Sequence, residues 1–421
     1  MSLGTSAIIR PMATLFPFRA LRPRTSTAAA IAAVPYDVVS AEEARLLAAD
    51  NPLSFLRVSR AELELPSTID PYADAVYARA AENYRALTAQ AFELEAEPSV
   101  YFYRLRMGTH EQLGLAGCFS IDEYDRDIIR KHERTRRDKE DDRTRHMLAL
   151  GAQTGPVFLT YRASADVNDL ARGILAELPL FDFAAADGVQ HTLWRVQGAL
   201  RDALVSAFSR IETLYIADGH HRAASAARAR TEIAAGRASA HALGDGADFG
   251  TVLAVAFPHD QVQILPYNRV VKDLAGRTAA EFLAAAGEHF IVGPGVNTPA
   301  QRGELSMFLD DAWYTLVPRN PPSPEDAIAS LDVSVLQDAL LAPLLNIADV
   351  RTDKRIDFVG GARGTGELER LVRSGRFAVA FSLYPVSVAD LMAVSDANAI
   401  MPPKSTWFEP KLRDGLLLHL I

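Results

Sequence analysis

Leu214-Tyr215-Ile216-Ala217-Asp218-Gly219-His220-His221-Arg222 is the stretch on which the fold turns. Its four leading apolar residues read as the end of a buried strand, and the alanine- and arginine-rich run from Ala223 to Arg230 reads as a helix. A strand that passes through a glycine into a helix leaves the first backbone N–H groups of that helix without intrahelical partners. Those donors, with the positive end of a dipole worth about half a charge, make a seat for an anion. Here an arginine and two imidazoles accompany them, a set that suits phosphate better than carboxylate. The structural alternative is an Asp218 N-cap followed by surface polar residues.

A chain of 421 residues exceeds what one core usually supports, so two domains are expected, 1–270 and 271–421. With 49% hydrophobic and 23% charged residues the composition is that of an ordinary globular protein. A net charge of −9 weighs against a protein whose work is to neutralise nucleic-acid phosphates, while leaving small anionic ligands open. The single cysteine, Cys118, excludes an internal disulfide and a multi-cysteine zinc site, and its β-rich surroundings point to a buried thiol. No apolar run reaches the roughly 18–20 residues that span a bilayer. Ala28 to Val34 imitates a secretion signal but is short and stops at Pro35, so a cytoplasmic protein without a membrane partner is expected.

Along the chain, Ser40 with Glu43 three residues on has the form of a capping box opening a helix over 41–50. Pro71 to Ala91 carries apolar and aromatic residues at helical spacing, including Val76, Tyr77, Tyr84 and Leu87. Val100 to Leu105 and Leu113 to Ser120 suggest a hairpin. Gly155 to Tyr161 reads as a strand, and Leu193 to Phe208 as a segment leading into a helix. Val252 to Phe257 and Gln261 to Leu265 read as neighbouring strands. Helices at 333–345 and 366–374 and a strand at 377–383 complete a C-terminal unit. Hairpins mixed with helices favour an α+β fold with mixed or antiparallel sheets over a regular parallel wind.

Two further stretches could carry chemistry. Lys131 to His146, KHERTRRDKEDDRTRH, contains no apolar residue, so no face of it is expected to join a core; 12 of its 16 residues are Lys, Arg, Asp or Glu. Pairs such as Glu133–Arg137 lie at i,i+4 spacing and would serve as surface ion pairs on a solvated helix. The functional alternative is a mobile lid. Arg134, Lys139 and Arg143 would neutralise phosphate, Asp141 or Asp142 would bind Mg2+, and Glu133 would move a proton. Near the C-terminus, the prolines of Met401 to Lys411 fix a loop that presents Lys404, Ser405 and Thr406, either to an anion or merely as a tail tethered by Trp407 and Phe408. Gly360 to Gly366 is glycine-rich but lacks the Gly-Lys-Ser/Thr ending of a phosphate loop, and reads as a turn. Asp37, after Pro35-Tyr36, is either catalytic or part of a local turn. His110, His191, His241, His259, His289 and His419 show no ligand spacing.

PFRALRP (17–23), VPYDVVS (34–40), KHERTRRDKEDDR (131–143), IADGHHRAASA (216–226) and MPPKSTWFEPKL (401–412), in this order, resemble the motif set of the bacterial domain-of-unknown-function 1015 family. The strand–DGHHR–helix element is in turn similar to the corresponding turn of the ParB/sulfiredoxin-like fold, which includes kinases of free serine. That resemblance implies that Gly219, His220, His221 and Arg222 hold nucleotide phosphates and that an acidic residue, Glu133 or Asp37, activates a substrate hydroxyl. It also implies ATP or ADP with Mg2+ as cofactors and serine or O-phosphoserine as substrate. Asp218 would orient the turn or a metal, and His220, His221 and Arg222 would stabilise the transferring group. The alternatives are a ParB-like regulator that binds nucleotide without chemistry and a phosphatase of the phosphoserine type.

Overall fold

A computed structural model describes residues 12–238 and 248–421; His241 lies outside them. The chain divides into two units. The first comprises Met1–Lys131, Thr135–Val262 and Pro410–Ile421, and the second His132–Arg134 and Gln263–Glu409. A single cut at residue 270 therefore misses two exchanges: three residues of the charged segment belong to the second unit, and the C-terminus returns to the first. The return has a plain cause. Leu416, Leu417, Leu418, Leu420 and Ile421 are all buried, and His419–Leu420 pairs antiparallel with Ala152–Gln153.

The first unit is built on a nine-stranded mixed sheet. Its strands are β1 (Leu15–Phe16), β2 (Val100–Met107), β3 (His110–Ser120), β4 (Ile129–Arg130), β5 (Val157–Tyr161), β6 (Phe181–Ala184), β7 (Gln190–Val196), β8 (Leu214–Asp218) and β9 (Thr251–Pro258). Their order is β4-β8-β5-β9-β3-β2-β7-β6, with β1 against β3. The β2–β3 hairpin forms as its composition requires, in register Tyr101↔Ala116 through Met107↔His110 around Gly108, whose φ of 58° a glycine adopts without strain. β5 runs parallel to β9 and antiparallel to β8, so the sheet is neither a pure meander nor a parallel wind. Every residue of β9 is buried, which explains its unbroken apolar run.

Two local expectations are corrected. Leu193 lies in β7, where it pairs with Tyr103; the helix begins only at Gly198, whose φ of 60° ends the strand. Gln261 to Leu265 is not a neighbour of β9, whose partners are β3 and β5. Instead Ile264–Leu265 pairs with Trp407–Phe408 in the second unit.

Three helices of the first unit bear on the site: α1 (Asp74–Ala91), α2 (Arg137–Leu150) and α3 (His220–Ala234). The expectation that the charged segment has no face to bury fails. α2 packs between α1 and α3, and Asp142, Thr144 and His146 are buried. Asp142 and His146 are accepted there because they are paired inside, while the Thr144 hydroxyl has no hydrogen-bond partner among the described residues. The Tyr77 hydroxyl donates to Asp142 at 2.9 Å, Arg143 ion-pairs with Asp142 at 2.8 Å, and His146 Nε2 meets the Val58 carbonyl at 3.0 Å. Aromatic rings supply the remaining contact, with Arg143 4.0 Å from the Tyr36 ring and Arg145 4.1 Å from that of Tyr77. The Ser40–Glu43 capping box is present.

The second unit holds a six-stranded sheet of β10 (Tyr267–Val271), β11 (Phe290–Pro294), β12 (Leu305–Leu309), β13 (Ala312–Pro318), β14 (Ile356–Gly360) and β15 (Val379–Leu383). Its order is β11-β13-β12-β15-β10-β14, antiparallel at each pairing. The helical run after Leu331 contains a π-helical turn, Gln337–Leu341, between Asp332–Leu336 and Ala342–Leu345. A helix over Gly364–Arg373 packs its Leu368 and Leu371 into the core of this unit. Both architectures together make an α+β protein.

Candidate functional site

The site grows from the end of β8. Asp218 closes the strand, Gly219 stands at the N-cap of α3 with φ 92° and ψ 29°, and the helix starts at His220. Only glycine adopts this left-handed backbone readily, so the abrupt strand-to-helix change depends on it. Gly219 N donates to Asp218 Oδ1 at 2.8 Å, and the N-cap residue, a glycine, brings no side chain of its own to the helix end. One oxygen of the aspartate thus folds back onto the turn that opens α3. Its other oxygen, Oδ2, accepts from Lys411 Nζ at 2.8 Å, which brings a cation from the returning C-terminus to the same place.

Of the two imidazoles, His220 is buried and His221 is partly exposed. His221 Nε2 accepts from the Arg136 amide at 3.0 Å. An imidazole that accepts at Nε2 carries its proton on Nδ1. Arg222 turns inward. It donates from Nη1 to the Pro156 carbonyl at 2.5 Å and lies 3.8 Å from Asp37 Oδ1. Burial opposes its charge, but Asp414, Asp37 and Asp218 outweigh that cost and hold the guanidinium above its ordinary pKa. Arg222 is a fixed cation behind the helix opening, not a mobile finger above it.

Behind the turn lies a cavity of about 40 Å³, bordered by Tyr36, Arg143, His146, Gly155, Arg222 and Asp414. It has room for water and not for a nucleotide. Asp414, 4% exposed, has its Oδ1 without a hydrogen-bond partner among the described residues. Burial pushes its carboxyl up to about 7 against the pull of Arg222, and Asp37 adds to the rise. Gly155 leaves the space this carboxyl occupies, since a Cβ there would collide with Asp414 Oδ1. Burial followed by the Arg143 charge lowers His146 to about 4, so it is a neutral hydrogen-bonding group at neutral pH.

The candidate residues from the sequence thus fall into two sets. Asp37, Lys139, Asp141, Asp142, Arg143, Asp218, Gly219, His220, His221 and Arg222 belong to the first unit, and Glu133, Arg134, Lys404, Ser405 and Thr406 to the second. Asp37 meets the DGHHR turn through Arg222, and Arg143 shares the cavity with it. Lys139 donates to the Tyr72 hydroxyl at 2.9 Å on the surface. Asp141 ion-pairs with Arg228, while Asp142 is held by Tyr77 and Arg143. Carboxylates already neutralised by guanidinium groups are poor magnesium ligands, so the expected Mg2+ pair does not fit. In the second unit the Ser405 hydroxyl donates to the Pro402 carbonyl at 2.6 Å, Thr406 Oγ1 lies 3.4 Å from His132 Nε2, and Lys404 sits over the Tyr267 ring.

Sequence reasoning missed Tyr36, His146, Lys411 and Asp414. Lys411 and Asp414 lie just past the tryptophan loop, where Lys-Leu-Arg-Asp before an apolar tail was the available signal.

Among solved structures, the chain is similar to a conserved hypothetical protein from Pyrococcus furiosus, 14% identical with a TM-score of 0.36, covering 72% of this chain and 95% of that one. It is similar also to a free serine kinase in complex with AMP, 12% identical with a TM-score of 0.36, covering 72% and 92%. SbnI from Staphylococcus aureus, with a C-terminal truncation, is 13% identical with a TM-score of 0.39, covering 72% and 87%. No curated protein matches. The model of the family described as protein of unknown function (DUF1015) matches residues 15–334, three quarters of the chain, and this protein belongs to that family.

Proposed function

We propose that the first unit binds a nucleotide by its phosphates at the opening of α3 and transfers a phosphoryl group to or from a small hydroxyl amino acid such as serine. The observation that carries this reading is the opening itself. Gly219 in the left-handed region starts the helix without a side chain of its own in the way, with Lys411 and Arg222 as cations at the turn and the Asp37 carboxylate facing Arg222. Backbone donors, a helix dipole and fixed cations are what phosphoryl transfer asks of a protein, because positioning and charge neutralisation supply most of its catalysis.

In this reading Gly219 admits a phosphate close to the backbone, and His221, in the first turn of α3, stabilises the transferring group. Arg222 holds the positive potential from behind. Asp37, partly exposed, accepts the proton of the attacking hydroxyl. Magnesium enters as the counter-ion the nucleotide brings, with no ligand assigned to Asp141 or Asp142.

Phosphorus NMR of the full chain tests the reading, with magnesium and ATP plus serine, or ADP plus phosphoserine. Transfer between the two pools supports a phosphotransferase. Release of free phosphate without a nucleotide requirement makes the protein a phosphatase, and binding without turnover makes it a nucleotide-dependent regulator. Asp37→Asn should lower transfer by about 10²–10⁴-fold with nucleotide binding retained. Unchanged transfer in that variant removes Asp37 from the chemistry.

A further inference from the structure

The second unit contains a buried cation with no anion. Arg269, on β10, is 3% exposed. Its guanidinium donates to the carbonyls of Tyr267 and, at 3.3 Å, Pro403, and stands 5.0 Å from the Phe358 ring. Among the described residues no carboxylate pairs with it, and burial alone brings its pKa down to about 10. Burying an arginine without a counter-ion costs several kcal/mol. Two carbonyls and a ring offset part of that cost, and neither carries a full charge.

The guanidinium borders a cavity of about 250 Å³ whose other walls include Val333, Gln337, Leu341, Val350, Pro402 and Pro403. The volume falls just under the roughly 300 Å³ at which pockets for drug-sized ligands begin, which suits a small metabolite. Asp349 and Arg351 stand at its edge but neutralise each other at 2.8 Å. The lining therefore carries one net positive charge amid apolar walls. Gln337 lines the same cavity and donates from Nε2 to the Ile347 carbonyl at 2.8 Å. Gln337 opens the π-helical turn, an irregularity that frequently accompanies functional sites. The Pro402-Pro403 wall belongs to the proline-bracketed loop singled out in the sequence, so that loop borders this cavity.

We propose that this cavity binds a small organic monocarboxylate, with Arg269 as its counter-ion. One cation matches one carboxylate, and a planar guanidinium engages a carboxylate with two parallel hydrogen bonds. A phosphate dianion would leave a charge uncompensated among apolar walls. The assignment stands apart from the reading of the first unit and survives its failure.

Ligand-observed NMR on the full chain, with hexanoate as probe and hexanamide as its uncharged counterpart, tests it. Hexanoate should bind, with hexanamide about tenfold weaker or more. Arg269→Met should abolish the preference for the anion. Because that arginine is buried, Ala348→Trp provides a second variant: Ala348 is exposed at the cavity and leaves the core intact. It should block hexanoate while leaving the melting temperature unchanged. Equal binding of hexanoate and hexanamide, undiminished binding in Ala348→Trp, or binding of inorganic phosphate in preference to hexanoate would each overturn the assignment.

Discussion

Asp414→Asn should change how stability depends on pH, and the sign follows from linkage. In the unfolded chain an aspartate releases its proton near pH 4. In the folded chain burial holds the Asp414 proton up to about 7. Between those values the folded state binds more protons than the unfolded state, so stability falls as pH rises and levels off above 7. About three pH units at 1.36 kcal/mol each amount to about 4 kcal/mol as an upper figure. The wild-type curve will not display this slope openly, because three buried histidines act in the opposite direction. His146 is lowered to about 4 by burial and Arg143, His191 to about 3 by burial and Arg413, and His419 is lowered by burial. Their contribution is present above about pH 6.5 and lost as pH falls.

The histidine terms are common to both proteins and cancel in the difference. Urea denaturation of the wild type and of Asp414→Asn, followed by circular dichroism at several pH values, isolates the aspartate. The stability difference should move in favour of the asparagine variant by up to about 4 kcal/mol between about pH 4 and about pH 8. A difference that stays level over this range would show that Asp414 ionises normally. The account of a tight polar cavity behind the helix opening would then be wrong.

Gly219→Ala places a side chain at φ 92° and should cost about 1–2 kcal/mol, read as a lower melting temperature. If the helix opening seats phosphate, the same change weakens nucleotide binding by calorimetry beyond what the stability loss explains. Tyr77→Phe leaves the buried Asp142 Oδ1 without its donor and should cost about 1–3 kcal/mol in chemical denaturation. An unaltered midpoint would mean that α2 does not depend on this bond. Gly155→Ala drives a methyl group into Asp414 and should cost about 1–3 kcal/mol; pairing it with Asp414→Ala, which clears the collision, should recover part of the loss.

The contrast between α3 and α2 shows what local pattern can and cannot convey. The strand, glycine and helix at 214–234 are specified within a few residues: an apolar run, one position that tolerates a left-handed backbone, and good helix formers. The β2–β3 hairpin and the Ser40 capping box are equally local and appear where their residues place them. α2 is different. Its residues look solvated because their partners, Tyr36, Val58, Tyr77 and Arg228, lie tens of residues away and no periodicity announces them.

By itself, then, the sequence determined the α+β character, the glycine-dependent opening of α3, the absence of a cysteine framework and the family to which the chain belongs. Each of these depends on residues that are neighbours along the chain or on composition. Only the tertiary structure decided that Asp141 and Asp142 are occupied by guanidinium groups and that the tail carries Lys411 and Asp414 back to the DGHHR turn. It alone revealed Arg269 buried without a counter-ion. Charge partners and desolvation are set by which distant segments pack together, and a linear pattern carries no record of that distance.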